Sequence, residues 1–145
     1  MTNVAIMESL QLIGLLTRQI EQQLAVVLGI NSTDLSALEH LVTDGPLTAR
    51  ELADRLQVST AASTHIVDRL ERAGHVARQP HATDRRKVLV VAAEASRERI
   101  LTYIAPILAG ADASISRLSA TERGVVEKFL SDVVNTYTEA AETIR

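Results

Sequence analysis

Cysteine is absent from this sequence, which removes disulfides, thiolate catalysis, thiol-based redox sensing and sulfur-ligated metal together. That absence fits a cytoplasmic protein. Aromatic residues make up only 2% of the chain against 46% hydrophobic residues, so its core is built from Leu, Val, Ile and Ala. Such a composition favours helices over strands. Long apolar runs are missing too: charged or polar residues break each one well before the ~20 residues that a membrane span needs. The start, MTNVAIMESLQLIGLL, has no basic n-region and no small-residue cleavage site, so a soluble protein is expected.

Signatures of catalysis are equally scarce. Glycine occurs six times, at positions expected to be turns, and forms neither a phosphate-binding loop nor a dinucleotide fingerprint. There is no G-x-S-x-G and no carboxylate pair with a pocket signature. The four histidines, His40, His65, His75 and His81, include no two-ligand helical pair, so no structural zinc site is expected. A looser grouping of His75, His81 and Asp84 is weighed as a metal site against an ordinary solvated turn, and the turn is favoured. No catalytic residue, cofactor or metal is expected, and the chain does not read as an enzyme.

What is present is an uneven distribution of charge along 145 residues, the length of one ordinary domain. The net charge is −3, yet residues 48–87 hold eight of the 15 Lys and Arg and five of the 18 Asp and Glu. That stretch is therefore basic and the remainder acidic. Nucleic-acid binding depends on where positive charge is placed rather than on the total.

Residues 4–30 carry 16 Ala, Val, Ile, Leu or Met in 27 positions, with Leu10, Ile13, Leu16, Ile20, Leu24, Val27 and Leu28 at helical spacing. Leu12, Leu15 and Val26 lie off that stripe, so the helix is apolar on more than one face and needs cover on more than one face. A second copy of the chain is the expected cover; a central helix within one subunit is the alternative. Asn31 can cap a second helix, with Asp34 favouring its N-terminus. Thr43-Asp44-Gly45-Pro46 is a stop and turn.

Thr48 and Glu51 form a T-x-x-E capping box before a helix that buries Leu52, Ala53 and Leu56. After the short Gln57-Val58 link, Ser59 can cap a helix running to Ala73. Two helices joined so closely suit a helix-turn-helix corner. In the second, Ala62, Ser63, Ile66, Val67 and Leu70 fall on one side. Ala61, Thr64, His65, Asp68 and Arg72 fall on the other, with Thr60 and Arg69 at its flanks. Small polar side chains of that kind let a helix lie close to base edges in a major groove, although many solvated helices look similar. HVARQ and RKVLVV then read as two strands around a turn over residues 80–84. Arg78, Arg85, Arg86 and Lys87 cluster at this hairpin, opposed by Asp84. Such a tip can reach a minor groove, where Arg is attracted by the negative potential, or it is a solvated turn. A long helix is expected from about Glu94 to Ala113, kinked or broken at Pro106. Ser119 and Glu122 box a final helix whose stripe of Val125, Val126, Phe129, Leu130, Val133, Val134 and Tyr137 implies that the tail docks.

This order of elements resembles the multiple-antibiotic-resistance regulator (MarR) family over nearly the whole chain. The resemblance is densest in LTARELADRLQVS, VDRLERAGHVAR and DRRKVLV, the last containing a D-x-R wing motif at Asp84-Arg85-Arg86. It implies a mainly α fold with a small β-hairpin, a winged helix-turn-helix at residues 31–92. Helices at 1–30 and 93–145 would serve dimerisation, within one compact domain. Leu10, Ile13, Leu16, Ile20, Phe129, Val133 and Tyr137 are the expected dimerisation residues. The resemblance also implies that the recognition helix begins near Ser59 and that Thr60, Ala61, Thr64 and His65 approach bases. Arg86 would enter the minor groove, oriented by Asp84, with Arg85 and Lys87 beside it. Arg69 and Arg78 would contact the DNA backbone or support the wing through ion pairs. Family members are homodimeric regulators that bind pseudo-palindromic operators, and many release DNA when a small molecule binds. His65 stands where an arginine is common, and Ala93 and Ser96 replace the usual Thr and Gly. The reading is a sequence-specific double-stranded DNA-binding transcription regulator, a repressor, with a small-molecule effector left open. The alternative is a winged-helix module that binds another protein.

Overall fold

The computed structural model describes residues 3–144. Met1, Thr2 and Arg145 of the expected dimerisation segments lie outside the described residues. Six helices and three short strands follow in the order α1 (Val4–Leu28), α2 (Ser32–Asp44), β1 (Leu47–Thr48), α3 (Ala49–Leu56), α4 (Thr60–Arg72), β2 (Val76–Pro80), β3 (Val88–Ala92), α5 (Glu94–Ser116) and α6 (Ala120–Ile144) among these residues.

The helix starts sit where capping chemistry places them. The Asn31 side chain accepts from the Asp34 amide at 2.8 Å and opens α2. Thr48 and Glu51 exchange two bonds of 3.1 Å at the head of α3. Ser59 accepts from the Ala62 amide at 3.0 Å and opens α4. Ser119 and Glu122 repeat the reciprocal box before α6, at 2.7 and 3.2 Å. Gly29 closes α1 in the left-handed region at φ 69°, returning its N–H to the carbonyls of Ala25 and Val26. Only three glycines, Gly29, Gly45 and Gly74, have positive φ. Gly14, Gly110 and Gly124 lie inside helices, so the expectation of six glycines at turns is corrected.

The hairpin is part of a three-stranded antiparallel sheet of order β1-β3-β2. Val76 pairs with Ala92 and Pro80 with Val88. The extra strand, β1, pairs Leu47 with Val90 and Thr48 with Leu89. The second strand starts at Val88 rather than Arg86, because Lys87 is held in the turn by its N–H donating to the Asp84 carbonyl at 3.1 Å.

The chain divides after Tyr103 into two units. In the first, Leu35, Leu38, Leu52, Val67, Leu70, Val90 and Ile100 are fully buried and form the core beneath α4 and the sheet. The first turns of α5 belong to this unit, and Ser96 and Ile100 are buried there. The second unit holds the rest of α5 and α6. Arg123 donates to the carbonyls of Ile115 and Ser116 at 3.2 and 3.4 Å, satisfying the end of α5. Pro106 lies inside α5, and the helix runs through it without a break. No residue of α6 is buried. Among the described residues no helix is long and apolar enough to cross a membrane.

Candidate nucleic-acid interface

Helix α4 is seated by one face and leaves the other open. Ile66, Val67 and Leu70 are buried, and so is Ser63, whose hydroxyl donates to the Ala49 carbonyl at 2.8 Å. That bond fixes α4 against the first residue of α3. The turn between them is made by Gln57, which takes the left-handed conformation at φ 56°. The opposite face exposes Ser59, Thr60, Ala61, Thr64, His65 and Arg69, as the spacing predicts. Thr64 donates its hydroxyl proton to the Thr60 carbonyl at 3.0 Å. Its oxygen therefore offers lone pairs outward, which suits a donor such as a base amino group.

Arg69 is not free. Its Nε and Nη2 donate to the two oxygens of Asp34, at 3.1 and 2.8 Å. The carboxylate is buried while the guanidinium side chain is 45% exposed. The bidentate bond with Asp34 raises the Arg69 pKa above its already high value. The pair staples α4 to the head of α2, and its asymmetry gives a prediction. Arg69→Ala strands a buried carboxylate, whereas Asp34→Ala leaves a guanidinium that can turn into water. Arg69→Ala should therefore lower the thermal unfolding midpoint more than Asp34→Ala does. Equal shifts, or the reverse order, would show that Asp34 is not held by this pair.

Arg78 is also engaged. Its Nη2 donates to Asp68 at 2.6 Å and its Nη1 to Glu71 at 2.8 Å, both on α4. The hydrogen bond with Asp68 is the largest cause of its raised pKa. Arg78 thus ties β2 to α4 through two ion pairs.

The other wing residues are differently placed. Arg85, Arg86 and Lys87 are exposed at the β2–β3 turn. Asp84 accepts the Arg86 amide N–H at 3.0 Å. The acid therefore fixes the Arg86 backbone, and the Arg86 side chain has no partner among the described residues. The looser grouping of His75, His81 and Asp84, weighed and disfavoured as a metal site, does not form. His75 bonds Ser96 at 2.8 Å and the Leu28 carbonyl at 3.1 Å, while His81 faces the turn amides. Among the described residues no group of three or more His, Asp or Glu could hold a metal ion.

The expected dimerisation residues belong to α1 in the first unit and α6 in the second. On α1, Ile13 and Leu16 are exposed and Leu10 and Ile20 half-buried. On α6, Phe129 and Tyr137 are exposed and Val133 half-buried. A cleft of about 270 Å³ in the first unit has apolar walls from Leu41, Val42, Pro46, Val91 and Ala92, with Glu94 and Arg97 also lining it. The partnership of Arg69 with Asp34 and the anchoring role of Ser63 had no signal in the sequence. Both join residues far apart in the chain, and a serine among apolar neighbours carries no sign of its acceptor.

Comparison with known proteins agrees with this geometry. The MarR family model matches residues 30–88. The uncharacterized HTH-type transcriptional regulator YcgE of Bacillus subtilis (strain 168) is 40% identical over 95 residues, covering 66% of this chain and 62% of that protein. This chain's match thus spans less than two thirds of that relative's length. A MarR family protein from Bacillus stearothermophilus has the same fold at a TM-score of 0.58 and 25% identity, over 95% of this chain and 99% of that one. The S. aureus MepR–DNA complex shares the fold at a TM-score of 0.60 and 18% identity, over 88% of this chain and 96% of that one. The segment matched by the MarR family model, residues 30–88, is the one that holds the helix-turn-helix and the turn between β2 and β3.

Proposed function

We propose that the protein is a homodimeric, sequence-specific double-stranded DNA-binding transcription regulator, acting as a repressor in the cytoplasm. One observation carries this reading. A helix with a small, polar outer face stands beside a turn bearing Arg85, Arg86 and Lys87, all exposed. The helix suits a major groove and the arginine turn an adjacent minor groove. The relative named as a transcriptional regulator and the shared fold with a protein solved on DNA support the same reading. Two-fold pairing of the chain would place two such surfaces on a pseudo-palindromic operator, with half-sites about 34–36 Å apart. A small molecule that releases DNA would find room in the cleft beside β3, which has no aromatic wall for stacking.

The test is a fluorescence titration of the purified protein against the duplex upstream of its own gene, with a random duplex alongside. Specific binding should exceed non-specific binding by at least ~10³-fold. Its affinity should also fall steeply as salt rises, because cations displace counterions from phosphate. Equal affinity for both duplexes would remove sequence specificity from the reading. No binding at low salt would move the function to a protein-binding winged helix.

A further inference from the structure

The turn that presents Arg86 is organised by an imidazole. His81 Nδ1 lies 3.0 Å from the amide nitrogen of Asp84 and 3.2 Å from that of Thr83. Both amides donate, so Nδ1 accepts and the ring proton of the neutral imidazole sits on Nε2. Nε2 has no partner among the described residues. The His81 amide N–H donates to the Lys87 carbonyl, and the Lys87 N–H donates to the Asp84 carbonyl, each at 3.1 Å. With Asp84 Oδ1 accepting the Arg86 N–H, one nitrogen and one carboxylate hold the amides of residues 83, 84 and 86, and backbone bonds hold Lys87.

Histidine is the side chain that takes up a proton near neutrality. A proton on Nδ1 turns this acceptor into a donor facing two donors. The Thr83 hydroxyl, 3.4 Å away, could then accept, but both amides would lose their partner. The charged groups on the turn are Asp84, already engaged by the Arg86 amide, and Arg85, Arg86 and Lys87; from α3, Glu51 interacts electrostatically with Lys87. Among the described residues no hydrogen bond or ion pair joins His81 to another element, so the hold of its imidazole on Thr83 and Asp84 rests on the Nδ1 bonds alone.

We propose that His81 is a positioning residue for the wing: its neutral imidazole holds the turn that presents Arg86, and protonation of Nδ1 releases that turn and weakens DNA binding. The effect on DNA rests on the reading above; the effect on the turn does not. The sign is distinctive. A proton on the exposed His65 adds positive charge to the recognition face and strengthens binding to a polyanion, opposite to the effect at His81. The experiment therefore uses His65→Gln as the parent.

Operator affinity is measured near pH 7.5 and near pH 5.5 for this parent and for the added changes His81→Asn and His81→Ala. Asparagine keeps an acceptor for amides two and three residues on and does not titrate. The parent should lose affinity on the order of tenfold in acid, His81→Asn should hold it, and His81→Ala should bind weakly at both values. Matching pH profiles for the parent and His81→Asn overturn the proposal, as does parent-like binding by His81→Ala near pH 7.5. If the duplex is not bound at all, the DNA-binding reading fails, and nitrogen NMR of the free protein decides the rest. An unprotonated Nδ1 near pH 7.5, with the Thr83 and Asp84 amides losing exchange protection in acid, supports the proposal. A protonated Nδ1 at the higher pH, or protection unchanged in acid, overturns it.

Discussion

Arg86→Ala is expected to weaken operator binding by about 1–3 kcal/mol, roughly ten- to a hundred-fold, with no loss of folding stability. The Arg86 side chain is exposed and has no partner among the described residues, so its removal breaks nothing within the chain. Its backbone is held to Asp84, so the guanidinium is carried on a fixed turn. On the proposed reading this arginine would contribute only when DNA is present, through its charge and its fit to a narrow minor groove. Arg86→Lys should recover part of the loss, because the charge is kept while the planar fork is not. Arg78→Ala is a contrasting control. It breaks the ties to Asp68 and Glu71 and should lower stability as well as affinity. The measurement is a fluorescence titration paired with thermal unfolding for each variant. Unchanged affinity for Arg86→Ala would take Arg86 out of the wing role.

The parts of the fold that were legible in the sequence are those written in local chemistry. Capping at Asn31, Thr48, Ser59 and Ser119 needs only residues three apart, and all four caps form as read. The two faces of α4 follow from helical periodicity alone, and the buried and exposed residues separate accordingly. Strand β1 was not legible because it is two residues long and its partner lies some forty residues on. Gln57 in a left-handed turn gave no warning either, since glycine or asparagine is the usual occupant. The candidate face was proposed from residue type, but its wiring was not legible. Arg69 and Arg78 have the same chemistry as Arg85 and Arg86, yet the first two are held by acids and the last two have free side chains. That difference depends on Asp34 and Asp68, which only the tertiary structure brings to them. The sequence could mark which arginines are basic, and the fold decides which are available.

Phe129→Glu should dissociate the proposed dimer and reduce operator affinity by at least about a hundredfold. Helix α6 spans 25 residues, and none of them is buried. Its Val125, Val126, Phe129, Leu130, Val134 and Tyr137 are all exposed, and α1 exposes Ile6, Leu12, Ile13, Leu15 and Leu16. Apolar surface on this scale is rarely left in water by a soluble monomer, and a helix gains most of its stability from the packing of its apolar face. A second copy of the chain supplies matching apolar surface by symmetry. A carboxylate at position 129 would then be buried without a partner, which dimerisation cannot repay. Phe129 is 39% exposed in the single chain and lies outside the first unit, so the first unit should keep its helical signal. Joining two binding surfaces raises affinity by about 10²–10⁴ through effective concentration, and a monomer forfeits that gain. Sedimentation velocity should show the parent at twice the chain mass and the variant at the chain mass. Ile13→Glu tests α1 in the same way. A variant that stays dimeric with parental affinity would move the interface away from Phe129. A parent that is monomeric at micromolar concentration would remove dimerisation from the reading and leave each chain to bind a single half-site.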